Sequence, residues 1–306
     1  PDSIKCALML VPSAGERMGR IGRTLDATAK WLLKFRIINW PARKIANSRL
    51  SWSFISRTDR IRTNRLRDRV KSYPLPEHVS IIMDGNRRFA WSQEIAREIG
   101  HRHGKEKLKE VMDWILDLGI PYLTVYALST DNISTREPDE LESLYDLYVS
   151  GFHEISNDPQ IHERGVKVQA VGRLELLPER VREAISLAES RTASYTDFLF
   201  TVCLAYGGRE EIVDAVRGVA EDHAKGELDL DSIDTSEISK RLYTADLPDP
   251  DLVIRTSGEE RISNFLLWQI AYAELHFTDV PWPSFSRQHL YEAIDSYQKR
   301  KRRYGG

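Results

Sequence analysis

His78-Val-Ser-Ile-Ile-Met-Asp-Gly-Asn-Arg-Arg88 is an apolar run that stops abruptly at a polar turn. Val79 to Met83 has the length and composition of a buried strand, and Asp84, Gly85 and Asn86 break it with a carboxylate and a tight turn, beside two guanidinium groups. In open α/β sheets, ligands gather at the carboxyl ends of the strands. The helix that follows such a strand points its unpaired N–H groups and positive dipole end at an anion. Gly85 lets the backbone approach closely, Arg87 and Arg88 offer fork-shaped donors, and Asp84 suits Mg²⁺ held between itself and phosphate oxygens. Taken alone, the tripeptide fits an ordinary surface turn as well.

A second segment, Leu252-Val-Ile-Arg-Thr-Ser-Gly258, repeats the logic. A short apolar strand ends in Arg255, a polar turn follows, and Arg261 and Ser263 come next. If both strands lie in one parallel sheet, their carboxyl ends share an edge and the two anion sites converge. Two adjacent polyanion sites imply two phosphorylated substrates.

Around these turns the pattern alternates. Strands are expected near 78–83, 123–128, 166–172, 198–205, 252–256 and 275–278, and helices over 104–118, 139–156, 178–193, 208–225, 236–243 and 286–303. The expected fold is therefore α/β, with a central, mainly parallel sheet of about six strands covered by helices on both faces. Two helical stripes, Leu108, Val111, Met112 and Ile115, and Leu141, Leu144, Tyr145, Tyr148, Phe152 and Ile155, read first as sheet-covering faces.

Composition bounds the rest. The chain has 306 residues, 41% of them hydrophobic, enough for a full core. Its charge is uneven: residues 1–73 hold 17 Lys and Arg against 5 Asp and Glu, while residues 74–306 hold 27 against 41. The expected organisation is a basic extension, 1–73, ending in the linker-like Ser72-Tyr-Pro-Leu-Pro-Glu77, and an acidic globular domain, 74–306. Within the extension, Trp31-Leu-Leu-Lys-Phe-Arg-Ile-Ile-Asn-Trp40 is too short and too charged to span a bilayer. Two readings stand side by side, a peripheral membrane contact and an extension without fixed structure. A third is that translation starts at Met9 or Met18. The basic charge permits weak nucleic-acid contact, but no specific recognition motif accompanies it. Cys6 and Cys203 cannot form a disulfide framework and fit a reducing cytoplasm, and no signal peptide is visible. Membrane association, if any, would be at the inner surface.

The segments HVSIIMDGNRR, GHRHG, DLVIRTSGEERISNFLLWQIAYAELHFTDVPWPSF and the terminal RRYGG resemble the cis-prenyltransferase family, undecaprenyl diphosphate synthase and its relatives, over residues 74–306. The resemblance implies a Mg²⁺-dependent enzyme, homodimeric or heterodimeric, that condenses farnesyl or geranylgeranyl diphosphate with successive isopentenyl diphosphates. The product would be a long polyprenyl diphosphate for lipid-carrier use. It further implies that the two apolar helices wall a hydrophobic tunnel for the growing chain.

Carried over by resemblance, Asp84 is the metal-binding catalytic acid. Gly85, Asn86, Arg87, Arg88, Phe89 and Arg97 form the allylic diphosphate cradle. Arg255, Arg261, Ile262 and Ser263 form the isopentenyl diphosphate site, and Glu274 is a second metal-binding carboxylate reached across a dimer interface. His101, Ser129 and Asn132 lie near the reacting carbons, with Thr130, Asp131 and Arg136 contacting substrate. Arg303 and Gly305 match a terminal motif that reaches the partner's diphosphates.

The sequence departs from the family pattern in three places. Arg87-Arg88-Phe89 replaces Gly-Arg-Trp. Asn132-Ile-Ser-Thr-Arg136 is one residue longer than usual, so Thr135 competes with Arg136 for the substrate-contacting position. Ser257 replaces a common Gly, a small change at a turn. A non-catalytic partner subunit on the same fold would lack Asp84, Arg88, His101, Asn132, Arg255 and Glu274, all of which are present. A phosphatase would need a nucleophile elbow or a two-metal carboxylate cluster, and neither is visible.

Overall fold

Hydrophobic alternation and Pro and Gly punctuation become, in chain order, β1 (His78–Ile82), α1 (Asn86–Ser92), α2 (Arg97–Leu118), β2 (Tyr122–Tyr126), α3 (Thr130–Thr135), α4 (Pro138–Asn157), α5 (Pro159–Glu163), β3 (Val166–Val171), α6 (Glu179–Thr192), β4 (Phe198–Cys203), α7 (Gly208–Ala224), α8 (Thr235–Ser239), β5 (Leu252–Arg255), β6 (Glu274–Phe277) and α9 (Arg287–Lys299). The computed structural model describes residues 61–300. The basic extension up to residue 60, with its 31–40 stretch, and Arg303 and Gly305 lie outside the described residues.

All six expected strands form, and all pair in parallel in the order β3-β4-β2-β1-β5-β6. From β1 the chain builds outward on one side through β2 and on the other through β5. The order therefore reverses between β1 and β5, the crevice where an open α/β sheet takes its ligand. Both faces are covered, as a parallel sheet requires. Val79 and Ile81 of β1 enter a large core with α2, α4, α6 and α9, while Ile82 enters a second cluster with Tyr126, Tyr206 and Phe265. Leaving Ile81, fully buried, without its side chain would cost about 2–5 kcal/mol.

The helices differ from expectation at the ends nearest the crevice. α2 begins at Arg97 rather than 104, because its first turns bury Gly100, His101 and Gly104 instead of an apolar stripe. Glycine is needed at two of these positions: a Cβ on Gly100 would stand 2.6 Å from the Asn86 carbonyl oxygen, and one on Gly104 2.5 Å from Asn86 Oδ1. α1, α3 and α5 are short helices of seven, six and five residues that periodicity does not reveal. Backbone over 61–71 is helical and places Val70, fully buried, in the main core. Gln298 of α9 donates to the Val70 carbonyl at 2.9 Å and to the Pro74 carbonyl at 3.0 Å. The compact unit accordingly starts at Thr63, so the tail of the basic stretch belongs to the packed body.

Candidate active site

β1 and β5 end side by side, with Ile82 in register with Arg255. The turn after β1 brings Asp84 against the end of β5, and Arg255 Nη2 donates to Asp84 Oδ2 at 2.9 Å. Arg255 is buried, with a side chain 5% exposed, and its Nη1 donates to Ser263 Oγ at 2.7 Å and to the Arg261 carbonyl. Thr256 Oγ1 and the Trp282 backbone N–H both donate to the Asp84 carbonyl, at 2.6 and 2.9 Å. Gly85 at φ +103° makes the turn possible, since a Cβ there would lie 2.6 Å from Ser257 Oγ. The helix that starts here, α1, has no side-chain cap, so its first N–H groups keep no side-chain acceptor.

Ser257 carries a correction. It adopts φ +75°, where a β-carbon is strained and glycine is not. The replacement of Gly by Ser is thus a conformational cost as well as a small change in size.

A second group of arginines converges on a carboxylate that sequence reasoning missed. Glu140, on the first turn of α4, is buried. It accepts from Arg136 Nη1, and Arg87 Nε and Arg97 Nη1 lie 3.8 Å from its two oxygens. His101 Nε2 stands 3.3 Å from Glu140 Oε1. Burial alone would raise the Glu140 pKa, but Arg136 and Arg87 outweigh it and hold the carboxyl below its ordinary value. An ionised Glu140 only accepts, so Nε2 of His101 bears the proton and Nδ1 is its basic nitrogen. Burial, and then the Arg136 charge, push the His101 pKa down, which keeps the ring neutral near pH 7.

The exposed rim repeats this arrangement. Arg88 Nη2 and Arg261 Nη1 meet opposite oxygens of Glu259, at 2.7 and 2.5 Å. Their side chains are 48% and 64% exposed. Arg88 also donates to the Ser257 carbonyl and lies 3.7 Å from Asp84 Oδ2.

Behind the crevice lies a cavity of about 640 Å³. Its mouth is polar: Asp84, Asn86, His101, Ser129, Asp131, Asn132, Arg136, Arg255, Arg261 and Ser263 all line it. Its depth is apolar, and the two helical stripes sort themselves there. Leu108, Met112, Leu144, Tyr148, Phe152 and Ile155 face the cavity, whereas Val111, Ile115 and Tyr145 belong to the core alone. Part of each stripe therefore faces the cavity, where a tunnel wall is expected, and the rest covers the sheet.

Of Thr135 and Arg136, it is Arg136 that reaches the cavity. Arg136 caps α3 in extended backbone, lines the cavity and donates to Asn132 Oδ1 at 3.1 Å. Thr135 is exposed and returns its hydroxyl to the Asp131 carbonyl. Ser129 acts first as the α3 N-cap, accepting from the Asn132 N–H at 3.0 Å. Phe89, Thr130 and Ile262 lie outside the lining: Phe89 packs edge-on to His103, and Ile262 joins the second apolar cluster. Glu274 starts β6 in register with Leu252, and so with Val79 of β1, three residues or roughly 10 Å below the end of β1 at Ile82 and two strands away across the sheet. There it pairs with Arg300 at 2.5 Å. One chain cannot bring Glu274 and Asp84 to one ion.

Glu140 had a sequence signal, its position four residues after Arg136 at the start of a helix. Glu259 had none beyond its place in a polar turn. Trp282, fully buried, donates its indole N–H to the Gly104 carbonyl at 2.8 Å and ties α2 to the turn.

For Mg²⁺ the fit rests on Asp84. It is a hard oxygen donor at the cavity mouth, 29% exposed, with one oxygen already oriented by Arg255. Among the described residues no group of three acidic, His or Cys side chains forms a complete metal cage. A lone carboxylate suits Mg²⁺, which keeps waters and takes its other ligands from substrate phosphates.

Comparison with known proteins places this geometry. Residues 82–305 match the family described as "Putative undecaprenyl diphosphate synthase". The chain is 53% identical over 240 residues to a tritrans,polycis-undecaprenyl-diphosphate synthase (geranylgeranyl-diphosphate specific) from Methanopyrus kandleri, covering 78% of this chain and 88% of the relative. It is 50% identical over 233 residues to the protein of the same description from Methanocaldococcus jannaschii, covering 76% and 83%. Among solved structures it is similar to lavandulyl diphosphate synthase from Lavandula x intermedia in complex with dimethylallyl diphosphate. The TM-score is 0.71 and the identity 36%, covering 76% of this chain and 99% of that one.

Proposed function

The chain belongs to the undecaprenyl diphosphate synthase family and is a cis-type prenyltransferase; from that premise we propose that it elongates geranylgeranyl diphosphate with several isopentenyl diphosphates to a long polyprenyl diphosphate, with Mg²⁺ as cofactor. The observation that carries this reading is one cavity that joins a polar, arginine-bearing mouth to an apolar depth. The preference for geranylgeranyl over farnesyl diphosphate rests on the specificity stated for the Methanopyrus kandleri and Methanocaldococcus jannaschii relatives. The lipid glycosyl carrier is the proposed use of the product.

The reaction breaks the allylic C–O bond, the electron pair leaving with diphosphate. The double bond of isopentenyl diphosphate then joins the allylic carbon, and a proton leaves the new cation. Mg²⁺ beside Asp84 would supply positive charge to the departing diphosphate. Arg87, Arg88 and Arg97 surround the turn where that diphosphate would sit, and guanidinium groups aimed at a leaving group stabilise the transition state more than the ground state. Arg255, Arg261 and Ser263 would hold the second diphosphate. Asn132, whose Oδ1 is occupied by Arg136, presents amide N–H donors, so it orients a neighbour and does not take the proton. The neutral His101 offers Nδ1, and the departing diphosphate is the other acceptor. The apolar depth receives the hydrocarbon and excludes water from the cation.

In this proposal the functional unit has two copies of the chain. Glu274, too far from its own Asp84, would serve the other copy's site, and so would Arg303 and Gly305.

The test is incubation with isopentenyl diphosphate and Mg²⁺, offering farnesyl or geranylgeranyl diphosphate in turn, with product length read by mass spectrometry. Long polyprenyl diphosphates from geranylgeranyl diphosphate are expected. No elongation from either starter by folded protein would overturn the reading.

A further inference from the structure

One wall of the apolar depth is made of lysine. On α2, Lys105 and Lys109 line the cavity beside Leu108, and on α4 the facing positions include Gly151 and Phe152. Lysines are out of place in an apolar lining unless the stem lies along it and the charge escapes. Both ammonium groups do escape, to one carboxylate outside the lining. Lys105 Nζ meets Glu154 Oε1 at 2.5 Å, and Lys109 Nζ meets Glu154 Oε2 at 2.5 Å. Lys109 and Glu154 are 44% and 42% exposed, so this clasp sits at the protein surface while its stems face the cavity.

Gly151 leaves a gap behind the clasp. A Cβ built there would meet one atom within 4 Å, Lys105 Cδ at 3.8 Å. Between α2 and α4 at this level, the wall is thus a pair of flexible stems held by Glu154, through an exposed pair with Lys109 that is worth little in water and a more sheltered one with Lys105, whose side chain is 18% exposed. The helix rise of 1.5 Å per residue puts Lys109 about 12 Å below His101 at the mouth. A hydrocarbon growing downward from the mouth therefore passes this seam.

We propose that the α2–α4 seam at Gly151 is a side portal for the growing hydrocarbon, with Lys105, Lys109 and Glu154 as its clasp, and that it sets product length. The inference rests on the prenyl-elongating reading above. When the chain reaches the seam, the stems swing aside, the ammonium groups pass to water, and the hydrocarbon extends past Gly151 toward an apolar acceptor phase. A closed wall would instead stop growth when the cavity is full.

Two variants test it, each assayed beside the wild type with isopentenyl diphosphate, Mg²⁺ and geranylgeranyl diphosphate. Gly151→Leu fills the gap, and because Gly151 lies inside a helix with open space beside it, the change should not disturb folding; a matching circular dichroism melt checks this. Its products should be shorter than wild type by one or more isoprene units. Glu154→Ala opens the clasp from outside the cavity, so the single-turnover rate of the first condensation should stay within about twofold, while the product distribution shifts to longer chains. Product lengths that remain at the wild-type value in either variant overturn the portal. Failure of the wild-type protein to elongate at all would overturn the functional reading instead, so the two failures are distinguishable.

Discussion

The mouth of the cavity holds its arginines in two different ways. At the β1–β5 crevice, Arg255 is buried and donates to Asp84, Ser263 and the Arg261 carbonyl. At the rim, Arg88 and Arg261 share Glu259 while remaining about half exposed or more. Burial makes the first arrangement rigid and expensive to disturb, because an unpaired buried charge has no water to turn to. Exposure makes the second cheap and exchangeable, because solvent and salt screen it. Asp84 is therefore a structural counter-ion to Arg255 and, in the proposed reaction, would be a ligand position as well, whereas Glu259 would hold a place that a diphosphate takes.

The sharpest way to break this contrast is Asp84→Ala. Turnover should fall by about 10²–10³-fold or more, and the chemical denaturation midpoint should also drop, because Arg255 loses its carboxylate. A variant with normal turnover would remove Asp84 from the proposed chemistry. Next in size, Arg255→Lys cannot reproduce the fork. The loss of one charge-assisted bond, about 1.5–3 kcal/mol, should weaken isopentenyl diphosphate binding roughly ten- to a hundredfold. Arg261→Ala, measured beside it by KM, should cost less than about tenfold. Equal effects of the two would erase the distinction between buried and exposed arginines.

A pH profile extends the contrast to Glu140. The His101 pKa lies below its ordinary value near 6.5, so if the neutral ring is required, activity is retained as pH falls through 6.5 and is lost only further down. Glu140 raises that pKa against burial and Arg136, so Glu140→Gln should move the acid limb of kcat/KM to still lower pH. An acid limb that moves upward would contradict the pairing. The smallest effect is expected at Ser257. Replacing it by glycine relieves the φ +75° conformation and should raise stability by about 1 kcal/mol in urea denaturation, with turnover little changed.

Much of the sheet is legible in the chain, because most strands are short apolar runs that end at a polar or glycine-bearing turn, and such runs are read locally. The arginines, too, stand in plain view beside their turns. The short helices α1, α3 and α5 are not legible, since a few residues carry less than two turns of periodicity. The start of α2 is hidden for another reason: its buried face is glycine and histidine packed against Asn86, which no hydrophobic pattern marks. The two stripes are visible, yet which residue faces core and which faces cavity depends on how far apart α2 and α4 stand.

Local chemistry thus settles the strands, the two polar turns and the residue types that gather diphosphates, since backbone sterics and hydrophobic period act over a few positions. Partnership does not follow from it. Asp84 meets Arg255 across 171 positions, and Arg88 meets Glu259 across 171. Those pairs and the separation of Glu274 from Asp84 arise from strand order and register. They are long-range because a parallel sheet joins strands through crossovers, and only the assembled sheet says which turns share an edge.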